Sequence, residues 1–335
     1  HSDGTLTHQE IARLAQEAGL DFLIATDHNR LALEEEGYCG PVLMLVGEEI
    51  HDTSRSPEAN HYLAFALEQE VAGYLANPQQ VIDQVRALGG FGFLAHPYEP
   101  AARVGPEPPI PWEDWEVEGY VGLELWNYMS ELKSRVTSLP RALFLAYLPQ
   151  VEICGPFPEA LARWDQLLST GQRVAVLGGT DAHGWEYTWG PLRREVLSYR
   201  FLLDTLHMHI LTPEPLSGHL AHDKRVVYGA LREGRSLIAY DLVGDGTGFR
   251  FVGRGRREEV GMGEELAIGE GVEFLVSSPR RALLRLIRNG QVVAQARGQS
   301  LVHAACERGS YRVEAYRRHL GKRLCFIMNS FPPAD

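Results

Sequence analysis

Four of the thirteen histidines, His28, His61, His96 and His183, stand at or beside the ends of short apolar runs, accompanied by Asp27, Glu49 and Asp181. Imidazoles mixed with carboxylates are the donor set that Zn²⁺, Mn²⁺ and Fe²⁺ accept, whereas a Ca²⁺ site is built mostly from oxygen. A lone Asp-x-His such as Asp181-Ala182-His183 is more often a surface or capping detail; the same event repeated along the chain is a stronger signal. Other hydrolytic arrangements are missing from the sequence, which has no Gly-x-Ser-x-Gly elbow and no Walker loop.

The elements that must position these residues are strands alternating with helices. Thr7, followed by Glu10 and by Ile11, Leu14, Ala15 and Ala18 at helical spacing, predicts a capped helix ended by Gly19. Phe22-Leu23-Ile24-Ala25 predicts a buried strand that stops at Thr26-Asp27-His28-Asn29. Residues 42–46 run into Gly47-Glu48-Glu49, residues 91–95 into His96-Pro97, and residues 173–177 into Gly178-Gly179-Thr180-Asp181-Ala182-His183. Residues 120–125 carry Glu124 towards Trp126 and Asn127, and helices are expected over 78–88 and 158–168. Alternation of this kind implies an α/β sheet or barrel, a class that places its chemistry at the carboxyl ends of the strands.

After about residue 215 the texture changes. A helix around 222–233 precedes strand-like runs at 236–240, 248–252, 272–277, 283–287 and 292–296, with Asn289-Gly290 as a hairpin signal between the last two. Alternating Tyr311, Val313 and Ala315 and the run 324–328 complete a small all-β, sandwich-like domain without recognisable chemistry.

A chain of 335 residues favours two domains over one. The formal charge of −12 divides unevenly: through residue 217 there are 13 Lys+Arg against 31 Asp+Glu, or −18, and beyond it 19 against 13, or +6. An acidic catalytic portion makes extended nucleic-acid binding an unfavourable expectation, since a polyanion needs a basic surface on which to release counterions. There is no apolar run of membrane-spanning length and no signal-peptide pattern at the amino terminus, so no membrane association and a cytoplasmic location are expected. Cys39, Cys154, Cys306 and Cys325 form no close pair and read as isolated thiols.

Ser2-Asp3-Gly4, Thr26-Asp27-His28-Asn29, Gly47-Glu48-Glu49-Ile50, His61 at a strand start, Ala95-His96-Pro97, Glu124-Leu125-Trp126-Asn127 and Gly179-Thr180-Asp181-Ala182-His183 resemble, in order and spacing, the motifs of the polymerase-and-histidinol-phosphatase (PHP) domain. The resemblance spans roughly residues 1–200. Farther on, Pro215-Leu216, Asp223 and Ala230-Leu231-Arg232-Glu233-Gly234-Arg235 are similar to the branch named for the carbaryl hydrolase CehA and its relative McbA. The implied fold is α/β: a distorted seven-stranded (βα) barrel over residues 1–213, a connecting helix and strand over 214–240, and the β domain over 241–335.

The resemblance also implies two or three divalent ions (Mn, Zn or Fe). Asp3, His28 and His183 would hold one, His61 and His96 a second; Glu49 would bridge the second to a third, which Asp181 would contact. The family's His-x-His, which supplies further ligands to that third ion, is expected a few residues before His1, since a translated chain should begin with Met. Glu49 and Asp181 are the candidate catalytic residues. Arg30 and Asn127 are candidates for substrate binding, and Asp27 and Asn29 for supporting the ligands. His51 and Asp52 fit a supporting role or a solvent-facing loop equally well.

Coordinated water loses its proton near neutral pH, so such a site presents hydroxide without a strong side-chain base. The leading expectation is a phosphoesterase acting on a small phosphoester or nucleotide. Hydrolysis of a carbamate or aryl carboxylic ester by the same ions is the alternative, and a non-catalytic binding module a second one. His207-Met208-His209 has a ligand-like pattern after the last motif and is read as a strand with outward histidines; His8, His219, His222, His303 and His319 are read as surface residues.

Overall fold

The apolar runs that end in polar residues are strands of one sheet. The computed structural model describes residues 3–71, 75–104, 108–184, 186–189, 192–195, 197–269, 271–319 and 322–331, so His1 and Ser2 lie outside the described residues. Helix α1 (His8–Glu17) opens with the expected reciprocal cap: the Thr7 hydroxyl accepts from the Glu10 amide, and the Glu10 carboxylate accepts from the Thr7 amide.

Strands β1 (Phe22–His28), β2 (Gly37–Cys39), β3 (Val42–Ile50) and β4 (Tyr62–Phe65) follow, then helix α2 (Pro78–Ala87), β5 (Phe91–Leu94) and β6 (Gly122–Asn127). Helices α3 (Tyr128–Arg135), α4 (Leu139–Tyr147) and α5 (Pro158–Ser169) precede β7 (Ala175–Gly179). The sheet runs β1-β3-β4-β5-β6-β7, with β2 on β3. The β1/β3, β5/β6 and β6/β7 pairs are parallel, whereas β4 is antiparallel to both its neighbours.

The sheet curls into a half-barrel. The α/β class is as expected, but the barrel is not closed: no β1/β7 pairing occurs among the described residues. Strand β10, introduced below, lies against β7 instead, with the Gly178 amide 3.2 Å from the Met208 sulfur.

A hairpin of β8 (Glu186–Trp189) and β9 (Leu192–Glu195) and the short helix α6 (Tyr199–Leu202) lead to β10 (Leu206–Ile210), helix α7 (Leu220–Arg232) and β11 (Ser236–Tyr240). Val227, Tyr228 and Leu231 of α7 pack on Phe65, Phe91 and Phe93 of the first sheet, and the Tyr228 hydroxyl donates to the Val46 carbonyl at 2.8 Å. Asp223 anchors the start of α7: it is fully buried and accepts from the Tyr38 hydroxyl and the Ser217 and Gly218 amides.

The remaining strands are β12 (Arg250–Arg254), β13 (Glu259–Val260), β14 (Val272–Arg288), β15 (Gln291–Ala305), β16 (Tyr311–His319) and β17 (Lys322–Phe331). They join β10 and β11 in one eight-stranded sheet of order β10-β11-β17-β16-β14-β12-β13, with β15 on β14. The all-β character expected here holds, and the strands form one continuous antiparallel ladder. The runs 272–277 and 283–287 are one strand interrupted by an irregularity between Ser277 and Ala282, which the sequence shows only as a break in the pattern. Asn289 and Gly290 turn the β14/β15 hairpin with φ of 46° and 81°, the left-handed geometry this dipeptide tolerates. Cys39, Cys154 and Cys306 are free thiols. No helix among the described residues is long and apolar enough to cross a membrane.

Candidate metal centre

The first sheet gathers its polar strand ends at one edge. In the parallel β1/β3 pair His28 is level with Glu49, and β5 ends next to them just before His96. His61 precedes its strand rather than following it, and the reversed direction of β4 brings it to the same edge, opposite the ends of β3 and β5. Asn29, His96 and Asp181 leave their strands with φ of 50°, 25° and 53°, a region costly for residues other than glycine and often occupied at functional sites.

Two sets of three donors converge there. Asp3 Oδ1 lies 3.2 Å from His183 Nε2 and 3.7 Å from His28 Nε2. Glu49 Oε1 lies 2.7 Å from His61 Nδ1 and 3.2 Å from His96 Nε2, with all three residues buried. His51 joins the sets: its ring stacks on His28 at 4.8 Å and 9° and meets His61 edge-on at 4.2 Å, so His28, His51 and His61 form a further group of possible ligands. Five imidazoles, from His183 through His28, His51 and His61 to His96, thus form a continuous row.

Donor and acceptor accounting indicates what this row lacks. His96 Nδ1 lies 3.2 Å from the Ile110 carbonyl, and His183 Nδ1 lies 2.8 Å from the Asp181 carbonyl. A carbonyl only accepts, so Nδ1 carries the hydrogen in both rings, and a neutral ring then aims a bare Nε2 at a carboxylate oxygen. Acceptor facing acceptor needs a cation or a second proton between. Metal-ligating histidines have this same arrangement, the far nitrogen donating to a carbonyl and the near one free for the ion. His28 Nδ1 is buried and has no hydrogen-bonding partner among the described residues. These residues fit divalent transition ions.

The carboxylates and imidazoles also shift one another's proton affinity. Burial would pull His96 down and push Glu49 up, yet their mutual hydrogen bond, with that of His61, leaves Glu49 well below and His96 well above the ordinary value. Burial likewise opposes the His183 charge, but the Asp3 carboxylate raises that imidazole to about 10; Asp3, hydrogen-bonded to His183, falls to about 2. His51 is held near 4 by burial and by its neighbouring histidines.

Asn127, a candidate for substrate binding, lines the cavity; its Nδ2 lies 3.2 Å from both Glu124 oxygens and from Asp181 Oδ2, and its Oδ1 caps α3 at the Ser130 amide. It therefore positions Glu124 and Asp181. Glu124 is buried, is raised by that burial to about 7, and accepts from the His96 amide at 2.8 Å.

The Asn29 side chain accepts from the His51 amide at 2.9 Å. Asp27 lines the cavity and faces His8 at 3.3 Å, so His8 is not a bare surface residue. Nor is His222, which lies 3.0 Å from Asp223 and 2.9 Å from Glu214. Arg30 lines the cavity and is ion-paired with Glu34. Asp181 lines the cavity beside His183 but belongs to neither set of three. Trp126 packs in the core and donates to Glu131.

Glu58 has no counterpart in the sequence-based expectation. Its Oε1 lies 2.9 Å from both His51 Nδ1 and His61 Nε2. The one sequence signal for it is its i, i+3 spacing to His61. The centre opens into a cavity of about 510 Å³, whose lining includes the polar Asp27, His28, Glu49, His96, Asp181 and His183 and the apolar Ile24, Leu63, Phe65 and Leu177.

No family model matches the chain, and no curated protein matches it either. Among solved structures it is similar to a two-domain protein containing a predicted PHP-like metal-dependent phosphoesterase from Bacteroides vulgatus, at 14% identity, 98% of this chain, 91% of that chain and a TM-score of 0.43. At that TM-score the likeness decides nothing about the site, whose own geometry has to.

Proposed function

We propose that the chain is a metal-dependent hydrolase of PHP type, and specifically a phosphoesterase acting on a small phosphoester or nucleotide in the 510 Å³ cavity. The observation that carries this reading is the pair of carbonyl-fixed imidazoles, His96 and His183, each aiming its other nitrogen at a carboxylate within one row of histidines.

Asp3, His28 and His183 would hold one ion, and Glu49, His61 and His96 another, with His51 between them. Bound ions would supply Lewis acidity towards non-bridging phosphoryl oxygens and would acidify water. The protein's own part is positioning. Glu49 offers one buried anionic oxygen to two histidines at once, and the Glu124 carboxylate and Ile110 carbonyl fix His96 from behind. Asp181, oriented by Asn127, is the cavity carboxylate that takes a proton from the attacking water. Ile24, Leu63, Phe65 and Leu177 supply apolar surface for the rest of the substrate. Adjacent cation positions suit a phosphoryl group, whose charge is spread over several oxygens, better than a carbonyl with one.

A panel of nitrophenyl phosphate, bis-nitrophenyl phosphate and nitrophenyl acetate with added Mn²⁺ tests this. Turnover of either phosphate well above that of the acetate is expected. Cleavage of the acetate alone would replace the phosphoesterase by a carboxylic ester hydrolase, and inertness towards all three in a metal-loaded protein would favour a binding module.

A further inference from the structure

We infer that His207, His209 and Asp241 form a separate binding site for one divalent transition ion, with Zn²⁺ as its type. His207 and His209 lie two apart on β10 and so share a face, and Asp241 follows the end of the paired strand β11. The backbone brings Asp241 back over them: its amide donates to the Thr205 carbonyl at 2.8 Å. Asp241 Oδ2 then lies 2.8 Å from His207 Nδ1 and 2.7 Å from His209 Nε2.

The hydrogen bonds leave a place for a cation. His207 Nε2 lies 2.7 Å from the Leu203 carbonyl and must carry the hydrogen, so a neutral ring turns the lone pair of Nδ1 towards the carboxylate. The other carboxylate oxygen, Oδ1, is already bound by the Gly246 amide at 2.8 Å, which leaves Oδ2 to the two rings. Two imidazoles and one carboxylate on one side of an ion are a common three-ligand set with open positions, suited to Zn²⁺ or Fe²⁺. The side chains are 14–24% exposed, enough for water to complete the coordination. Gly246 passes over the site: a Cβ there would come within 3.4 Å of His209 Nε2 and 2.8 Å of the Ala239 side chain, so a bare glycine is what lets the 241–249 segment cover the ligands.

Two donors come from β10, which borders β7, and the third from the segment just after β11, its partner in the second sheet. An ion here would tie that segment to β10 at the edge where the second sheet meets β7. His207 also lines the wall of the central cavity, although its donor set shares no residue with the central one.

Anomalous scattering at the zinc edge, from crystals of the full chain soaked in Zn²⁺, is the direct test. A peak about 2.0–2.2 Å from His207 Nδ1, His209 Nε2 and Asp241 Oδ2 is expected, whether or not the central residues are occupied. In solution, Asp241→Asn and His209→Ala should each lose one bound Zn²⁺ or Co²⁺ per chain relative to the parent, leaving the rest. Failure of either variant to fold leaves the crystal measurement to decide. An empty triad at millimolar Zn²⁺, or folded variants with an unchanged metal count, would show that an imidazolium–carboxylate pair fills the place and would overturn the assignment.

Discussion

His61 Nδ1 lies 2.7 Å from Glu49 Oε1, across a strand pair in which β4 runs against β3. That reversal lets a residue before one strand meet a residue near the end of another, and the same oxygen lies 3.2 Å from His96 Nε2. One buried carboxylate oxygen thus orders two imidazoles.

Glu49→Gln keeps the volume but removes the charge and one anionic oxygen. Phosphoester turnover should fall by at least ~10²-fold, the usual cost of losing a key electrostatic group, and bound metal should fall with it. Glu48→Gln should leave turnover largely intact, because the Glu48 side chain faces the other side of the strand, where it accepts from the Val71 amide. Parallel kinetics and elemental analysis of the two variants check this; a normal Glu49→Gln enzyme beside an inactive Glu48→Gln one would contradict it.

Glu48 also makes a prediction about stability. It is 1% exposed, and burial raises its carboxyl from 4.5 to about 7. The folded state therefore holds the proton more tightly than the unfolded state. The resulting stability is fully present below about pH 4.5 and is lost as pH rises through 7. Glu48→Gln should remove this slope and gain on the order of 1–3 kcal/mol over the parent at pH 8 relative to pH 5. Urea unfolding at the two pH values measures it, and equal slopes in parent and variant would contradict it.

His51→Ala should weaken metal binding by about 10–100-fold, the range for residues that orient or complete a site. Its ring fills the space between His28 and His61, so removing it separates the two halves of the row. Titration against a competing chromophoric chelator measures the affinity; an unchanged affinity would reduce His51 to loop packing.

Much of the fold was legible because its signals are local. The Thr7/Glu10 cap, the all-apolar core of β3 and the Asn289-Gly290 turn each depend on residues within a few positions of one another. The candidate ligands could be read for the same reason, lying where apolar runs stop. What could not be read depends on pairing. Nothing near residue 61 announces that β4 is reversed, nothing near Ser277 fuses two runs into one 17-residue strand, and nothing near His207 points to Asp241. His207 and His209 are accordingly not the outward histidines of the sequence-based expectation. Asn127 is similar: nothing in the sequence shows that its amide holds Glu124, Asp181 and the Ser130 amide together at the cavity wall.

The central claim is that this histidine row works through bound ions, and back-titration of stripped protein tests it most directly. Chelator-treated protein should hydrolyse bis-nitrophenyl phosphate at no more than a few per cent of the loaded rate, and activity should return with added Mn²⁺ or Zn²⁺ as the chain takes up more than one ion. Full activity in protein shown by elemental analysis to be free of metal would contradict the account.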